Sequence, residues 1–123
     1  MYDFNDSSLS PKGESLLFKK IKKNIKNYDV VIVSDYGHGF ISQKIANFLS
    51  KRKNVIVNTQ LNSANLGYHT IGKYKKTNWA IINEVELRHE LRDRYDGIKN
   101  LMVKLSKKLQ IKNLIVTCGK KGS

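Results

Sequence analysis

Apolar residues recur along this chain with two different periods, and the changes of period mark its elements. Leu17, Ile21 and Ile25 are four apart, the spacing of one helical face, and Ser10-Pro11 ahead of them is a start signal. Serine can accept a backbone N–H there, and proline suits the first helical position. A helix is predicted to about Asn27, its first turn weakened at Gly13 by about 1 kcal/mol relative to alanine. Residues 29–34 (D-V-V-I-V-S) then form a nearly continuous β-branched run, which predicts a parallel strand covered on both faces. Polar and glycine residues 35–39 follow, after which Ser42 caps a predicted helix burying Ile45, Phe48 and Leu49. Residues 54–58 (N-V-I-V-N) are a second buried strand, which closes a right-handed βαβ unit.

Residues 59–76 have no period and are rich in loop formers, a long connection of the kind that is often functional. Residues 79–82 (W-A-I-I) predict a third strand. Residues 84–94 and 96–109 predict two helical segments broken near Asp96-Gly97, with Leu87 and Leu91 inward in the first and Ile98, Leu101, Leu105 and Leu109 inward in the second. Residues 112–117 are a fourth strand, opening into a glycine-bearing turn. The order α-β-α-β-loop-β-α-α-β predicts an α/β fold with a mostly parallel sheet flanked by helices. In such sheets ligands collect beyond the carboxyl ends of the strands.

Composition narrows the classes. The 123 residues are 40% hydrophobic, enough for one packed domain and too apolar for intrinsic disorder. No apolar run reaches the roughly 18 residues that span a bilayer, and the polar start at residues 1–6 has no secretory pattern behind it, so a cytoplasmic protein is expected. Cys118 is the one cysteine, which excludes an intrachain disulfide and a cysteine metal cluster; it reads as a small buried strand residue. The net charge of +13 would attract polyanions. The charges are spread out and mostly lysine, however, so they read as solvated helix faces, with no aromatic-plus-basic stacking motif.

The candidate chemistry lies at predicted strand ends. Residues 83–86 (N-E-V-E) open a helix and place the Asn83 carboxamide and the Glu86 carboxylate on neighbouring turns; oxygen ligands that leave room for water suit Mg²⁺. An ordinary asparagine cap gives the same pattern. Residues 117–122 (T-C-G-K-K-G) follow the last strand, where glycines let backbone approach a ligand, though a plain turn reads the same and no P-loop pattern is present.

Taken in order, these segments resemble the ribokinase/PfkB carbohydrate kinases, in particular their heptose-kinase branch. Residues 29–39 (D-V-V-I-V-S-D-Y-G-H-G) look like that branch's D-x-V-x-x-S-D-Y-x-K-G segment. Residues 55–60 (V-I-V-N-T-Q) sit where the family has a strand ending in D-P-K. Residues 83–86 match its N-x-x-E motif, and residues 117–122 match its T-x-G-x-x-G turn. The resemblance implies a partial ribokinase-like three-layer sandwich over residues 1–123 as a single partial domain. It also implies transfer of the ATP γ-phosphoryl group to a hydroxyl of a sugar or sugar phosphate. Asn83, Thr117, Gly119 and Gly122 would touch ATP, and Glu86, with Asn83 and through water, would organise Mg²⁺. Asp35, Gly37, Gly39, Asn58 and Gln60 would edge the sugar end.

There are departures from the family pattern. His38 replaces its usual lysine, and N-T-Q at residues 58–60 replaces D-P-K. Residues 58–74 look like a branch joined to a nucleotidyltransferase. The D-T-x-G-A-G-D motif, which carries the family's catalytic base, is absent and is expected downstream of Ser123; the sugar-binding strands are expected before Met1. The chain alone is therefore expected to hold no catalytic residue and to be inactive. A homodimer of the complete protein is left open. The alternatives are a non-catalytic α/β nucleotide- or sugar-binding module and a basic nucleic-acid-binding domain.

Overall fold

The computed structural model describes residues 10–35, 41–60 and 71–119. Helix α1 (Pro11–Asn24) begins as its sequence dictates: Ser10 accepts the Gly13 N–H at 3.1 Å, Pro11 follows, and Lys22 and Lys23 sit at the carbonyl end. One 3-10 turn (Ile25–Asn27) extends it, as expected from the apolar stripe, although the most buried residue of α1 is Phe18. Strands β1 (Val31–Asp35) and β2 (Val55–Thr59) flank α2 (Gln43–Ser50), whose Ser42 cap accepts the Ile45 N–H at 3.3 Å.

A second 3-10 turn (Ile71–Lys73) precedes β3 (Trp79–Asn83), α3 (Glu84–Leu91), α4 (Ile98–Leu109) and β4 (Asn113–Thr117). The break between α3 and α4 is built by two aspartates. Asp93 accepts the N–H groups of Tyr95 and Asp96; Asp96 accepts from Gly97 N–H, the Asn100 amide and the Lys104 ammonium. The Asn100 hydrogen bond first, then Lys104 and Gly97, hold the Asp96 carboxyl down at about 2.

The sheet is wholly parallel with order β1-β2-β3-β4. Right-handed crossovers taken repeatedly in one direction lay their helices on one face, and burial alternates accordingly. Val33, Val55, Val57, Ala80, Ile82 and Val116 are buried on a single face, against Ile45, Ala46 and Leu49 of α2, Leu87 of α3, and Leu101, Leu105 and Leu109 of α4. On the other face Ile32 is 66% exposed, Trp79 38% and Ile115 37%. The strand over residues 29–34 is thus covered on one face, not on both as its composition suggested. A β-branched run reports that a strand is central or packed, but not how many layers lie over it. Cys118 is likewise only partly buried, just past the end of β4.

Leu105→Ala should cost about 2–5 kcal/mol by leaving a core cavity. Ile32→Ser should change stability by no more than about 0.5 kcal/mol. Urea unfolding checks both, and a large loss at Ile32 would mean that its face is covered.

Candidate functional site

The carboxyl ends of the four strands share one edge of the sheet. Register sets the neighbours: Asp35 is level with Thr59, and Asn83 with Thr117. Alternation then splits the tips by face. Asp35 and Thr59 turn into the helical layer and are buried, whereas Thr117 is exposed and Asn58 and Asn83 are half-buried.

Two buried carboxylates anchor this edge. Glu86, 4% exposed, accepts the Thr59 hydroxyl on Oε2 at 2.9 Å, and Asn83 Nδ2 reaches its Oε1 at 3.5 Å. Asn83 Oδ1 in turn accepts the Glu86 N–H at 2.8 Å and so caps α3. The N-x-x-E pattern is therefore a helix cap and a buried tie between β2, β3 and α3 at once. A carboxylate in the first turn also meets the positive end of the helix dipole.

Asp35 is the second anchor. Its Oδ2 accepts the Tyr74 hydroxyl at 2.6 Å and pairs with the Lys73 ammonium at 2.6 Å, both from beside the second 3-10 turn. Lys73 also donates to the Ile41 carbonyl at 2.8 Å, and its own carbonyl accepts the Gln43 amide. The Asp35 carbonyl accepts the Gln60 N–H at 3.0 Å. One aspartate thereby joins the tip of β1, the exit from β2, the start of α2 and the segment entering β3.

Of the residues expected to form the site, Asn83, Glu86 and Thr117 are brought together, and Gly119 lies two residues beyond Thr117. Gly119 has φ +58°, which favours glycine, and a Cβ there would meet nothing within 4 Å. Gln60 is exposed just past β2. Asn58 does not join the buried ties; it lies in register between Ser34 and Ile81. Asp35 is tied into the protein by Lys73 and Tyr74, so it serves first as an anchor. Gly37, His38, Gly39 and Gly122 lie outside the described residues.

Thr59, Lys73 and Tyr74 were missed by the sequence reading. All three fall in the stretch read as an aperiodic loop, where only Lys73-Tyr74, a cation and an aromatic beside Ile71, hinted at burial.

Among the described residues no group of three or more histidine, cysteine, aspartate or glutamate side chains could hold a metal. One carboxylate with a carboxamide and a hydroxyl does not make a protein cage. The set does suit an ion that keeps most of its waters, as Mg²⁺ does.

Burial first, then the hydrogen bond to Asp35 and its charge, push the Tyr74 phenol above its ordinary range. Tyr74→Phe should cost about 1.5–3 kcal/mol near neutral pH, the range for a hydrogen bond to a charged group. Folded Tyr74 keeps its proton while the unfolded phenol releases it above 10.0, so the advantage of wild type over the variant should shrink as pH rises past 10. Denaturant melts of both proteins across alkaline pH test this, and a constant difference would contradict it.

Comparison with known proteins gives one short likeness. A 40-residue stretch, 32% of this chain, is 42% identical to the bifunctional protein HldE of Campylobacter curvus (strain 525.92), and it covers 8% of that protein's length. No family model matches the chain, and no solved structure matches it. No helix among the described residues is long and apolar enough to cross a membrane. The chain is an α/β protein with a parallel sheet and flanking helices, and its sequence likeness is to a segment of HldE.

Proposed function

We propose that this chain is a segment of an ATP-dependent sugar kinase and supplies part of the edge that receives the nucleotide phosphates. The observation that carries this reading is the register of β3 and β4, which sets Asn83 and Thr117 side by side, with Gly119 just beyond. Ligand sites of open parallel sheets gather at such an edge. The likeness to HldE points to the same chemistry.

Phosphoryl transfer asks little covalent chemistry of the protein; positioning and charge neutralisation dominate. Asn83 and Glu86 would hold Mg²⁺ through water, and the ion when bound would neutralise phosphate charge. Thr117 offers an exposed hydroxyl, and the backbone at Gly119 offers an open approach. Glu86 is kept in place by Thr59 and by its own helix, so its carboxylate needs no reorganisation when a ligand arrives. Asp35, Gln60 and Asn58 lie nearer β1 and would edge the acceptor sugar or sugar phosphate, with Lys73 as the cation of that end. The D-T-x-G-A-G-D motif is not in this sequence, so no residue here is assigned the role of catalytic base.

The burial of Glu86 also favours a second reading, a non-catalytic nucleotide-binding module in which the N-x-x-E pattern only caps a helix.

Titration with Mg·ATP should shift backbone amide resonances at Asn83, Thr117 and Gly119, and leave those at the opposite sheet edge, Trp79 and Asn113, unmoved. The isolated chain should show no sugar-dependent ATP consumption. Shifts confined to other regions would remove the kinase reading. Shifts at the right edge that survive Asn83→Ala and Glu86→Gln unchanged would favour the module.

A further inference from the structure

Ion pairing is divided unequally over the described residues. In the α3–α4 half three cations face carboxylates: Arg88 pairs with Glu84, Lys104 with Asp93 and Asp96, and Lys108 with Glu90. In the α1–α2 half, residues 10–35 and 41–60 carry ten lysines and arginines against three carboxylates, and one of these, Asp35, is buried on Lys73. None of the ion pairs between described residues involves a cation of α1 or α2.

Three of these cations are gathered rather than dispersed. Phe18 of α1 and Phe48 of α2 meet with ring centroids 5.2 Å apart and planes tilted by 47°. The Lys22 ammonium lies 4.4 Å from the Phe18 centroid and 6.0 Å from that of Phe48. Lys44 stands 4.9 Å from the Phe18 centroid, and the Arg52 guanidinium 4.8 Å from the Phe48 centroid. The ring faces attract cations through their quadrupoles and hold three long side chains in one place. The three positive charges repel one another there, and a polyanion would relieve that repulsion.

We propose that this α1–α2 face docks the sugar–phosphate backbone of a nucleic acid. Charge complementarity identifies the partner, and the length of α1 fits it. Its 14 residues run about 21 Å, the rise of about six base pairs, and carry Lys19, Lys20 and Lys23 besides Lys22. The two rings are occupied by cations and by each other, so they anchor charge and do not stack on bases. Binding is therefore to phosphates and is indifferent to sequence. The sequence reading took these lysines as solvated faces without an aromatic companion. The structure assembles that companion from Phe18 and Phe48, thirty residues apart in the chain.

Fluorescence anisotropy of the full chain with short labelled RNA, single-stranded DNA and duplex DNA tests the proposal and separates these sources of the same backbone. Binding should strengthen steeply from about 200 to 50 mM salt, with a log–log slope of about −3 or steeper. Replacing Lys22, Lys44 and Arg52 together with glutamine should weaken binding at least about tenfold at low salt and flatten the slope by about 2–3. The matched triple variant Lys104→Gln, Lys107→Gln, Lys108→Gln on α4 should leave the slope nearly unchanged. Far-UV circular dichroism melts confirm that both variants are folded; if the first is not, Lys19→Gln, Lys20→Gln, Lys23→Gln on exposed α1 positions should flatten the slope by a similar amount. No binding at 50 mM salt, equal losses in both halves, or tighter binding to phosphatidylserine vesicles than to every oligonucleotide would each overturn it.

Discussion

A single buried carboxylate oxygen, Oδ2 of Asp35, ties together the segments that meet at the carboxyl end of β1. It receives both the Lys73 ammonium and the Tyr74 hydroxyl, and Lys73 passes the connection on to the Ile41 carbonyl. Taking a charged pair out of water is expensive, and it is tolerable only when hydrogen bonds satisfy what remains. Here they do so across three segments, the tip of β1, residue 41 ahead of α2 and the residues ahead of β3. The tip of β1 is thereby bound to the start of α2 and to the entry into β3. A change at Asp35 should be felt at all of these places.

Glu86 is the second buried carboxylate of this edge. Thr59, the Asn83 amide and the first turn of α3 hold it in place. The two anchors lie on the helical side of the sheet, behind Asn83, Thr117 and Gly119. Catalytic and binding edges work best when the supporting groups are already fixed, because a ligand then spends none of its binding energy on ordering them. Division of labour between a buried carboxylate layer and an exposed polar layer is the feature of this edge that bears most on the proposed phosphate contact. The Phe18–Phe48 pair gathers cations of the α1–α2 region, whereas Arg88, Lys104 and Lys108 of the α3–α4 region are paired with carboxylates.

Much of this architecture was legible from the sequence because local signals and tertiary demands agreed. Ser10-Pro11, Ser42 and Asn83 each cap the helix they were expected to cap, and the four strands fall within a residue or two of their predicted bounds. What failed was information that no local pattern carries. The exposure of Ile32 depends on which way successive crossovers turn, not on its own neighbours in sequence. Lys73 and Tyr74 looked like loop residues because their partner, Asp35, is nearly forty positions away. The pairing of Phe18 with Phe48 was hidden in the same way, since only Phe48 stood out in its helix.

A double-mutant cycle between Asp35→Asn and Lys73→Met, read by urea unfolding, tests the anchoring role most directly. Each single change should cost about 3–5 kcal/mol, because it strands a buried partner. The pair together should cost clearly less than the sum, with a coupling of at least about 1 kcal/mol. Strict additivity, with small single losses, would show that the edge is held by something other than Asp35.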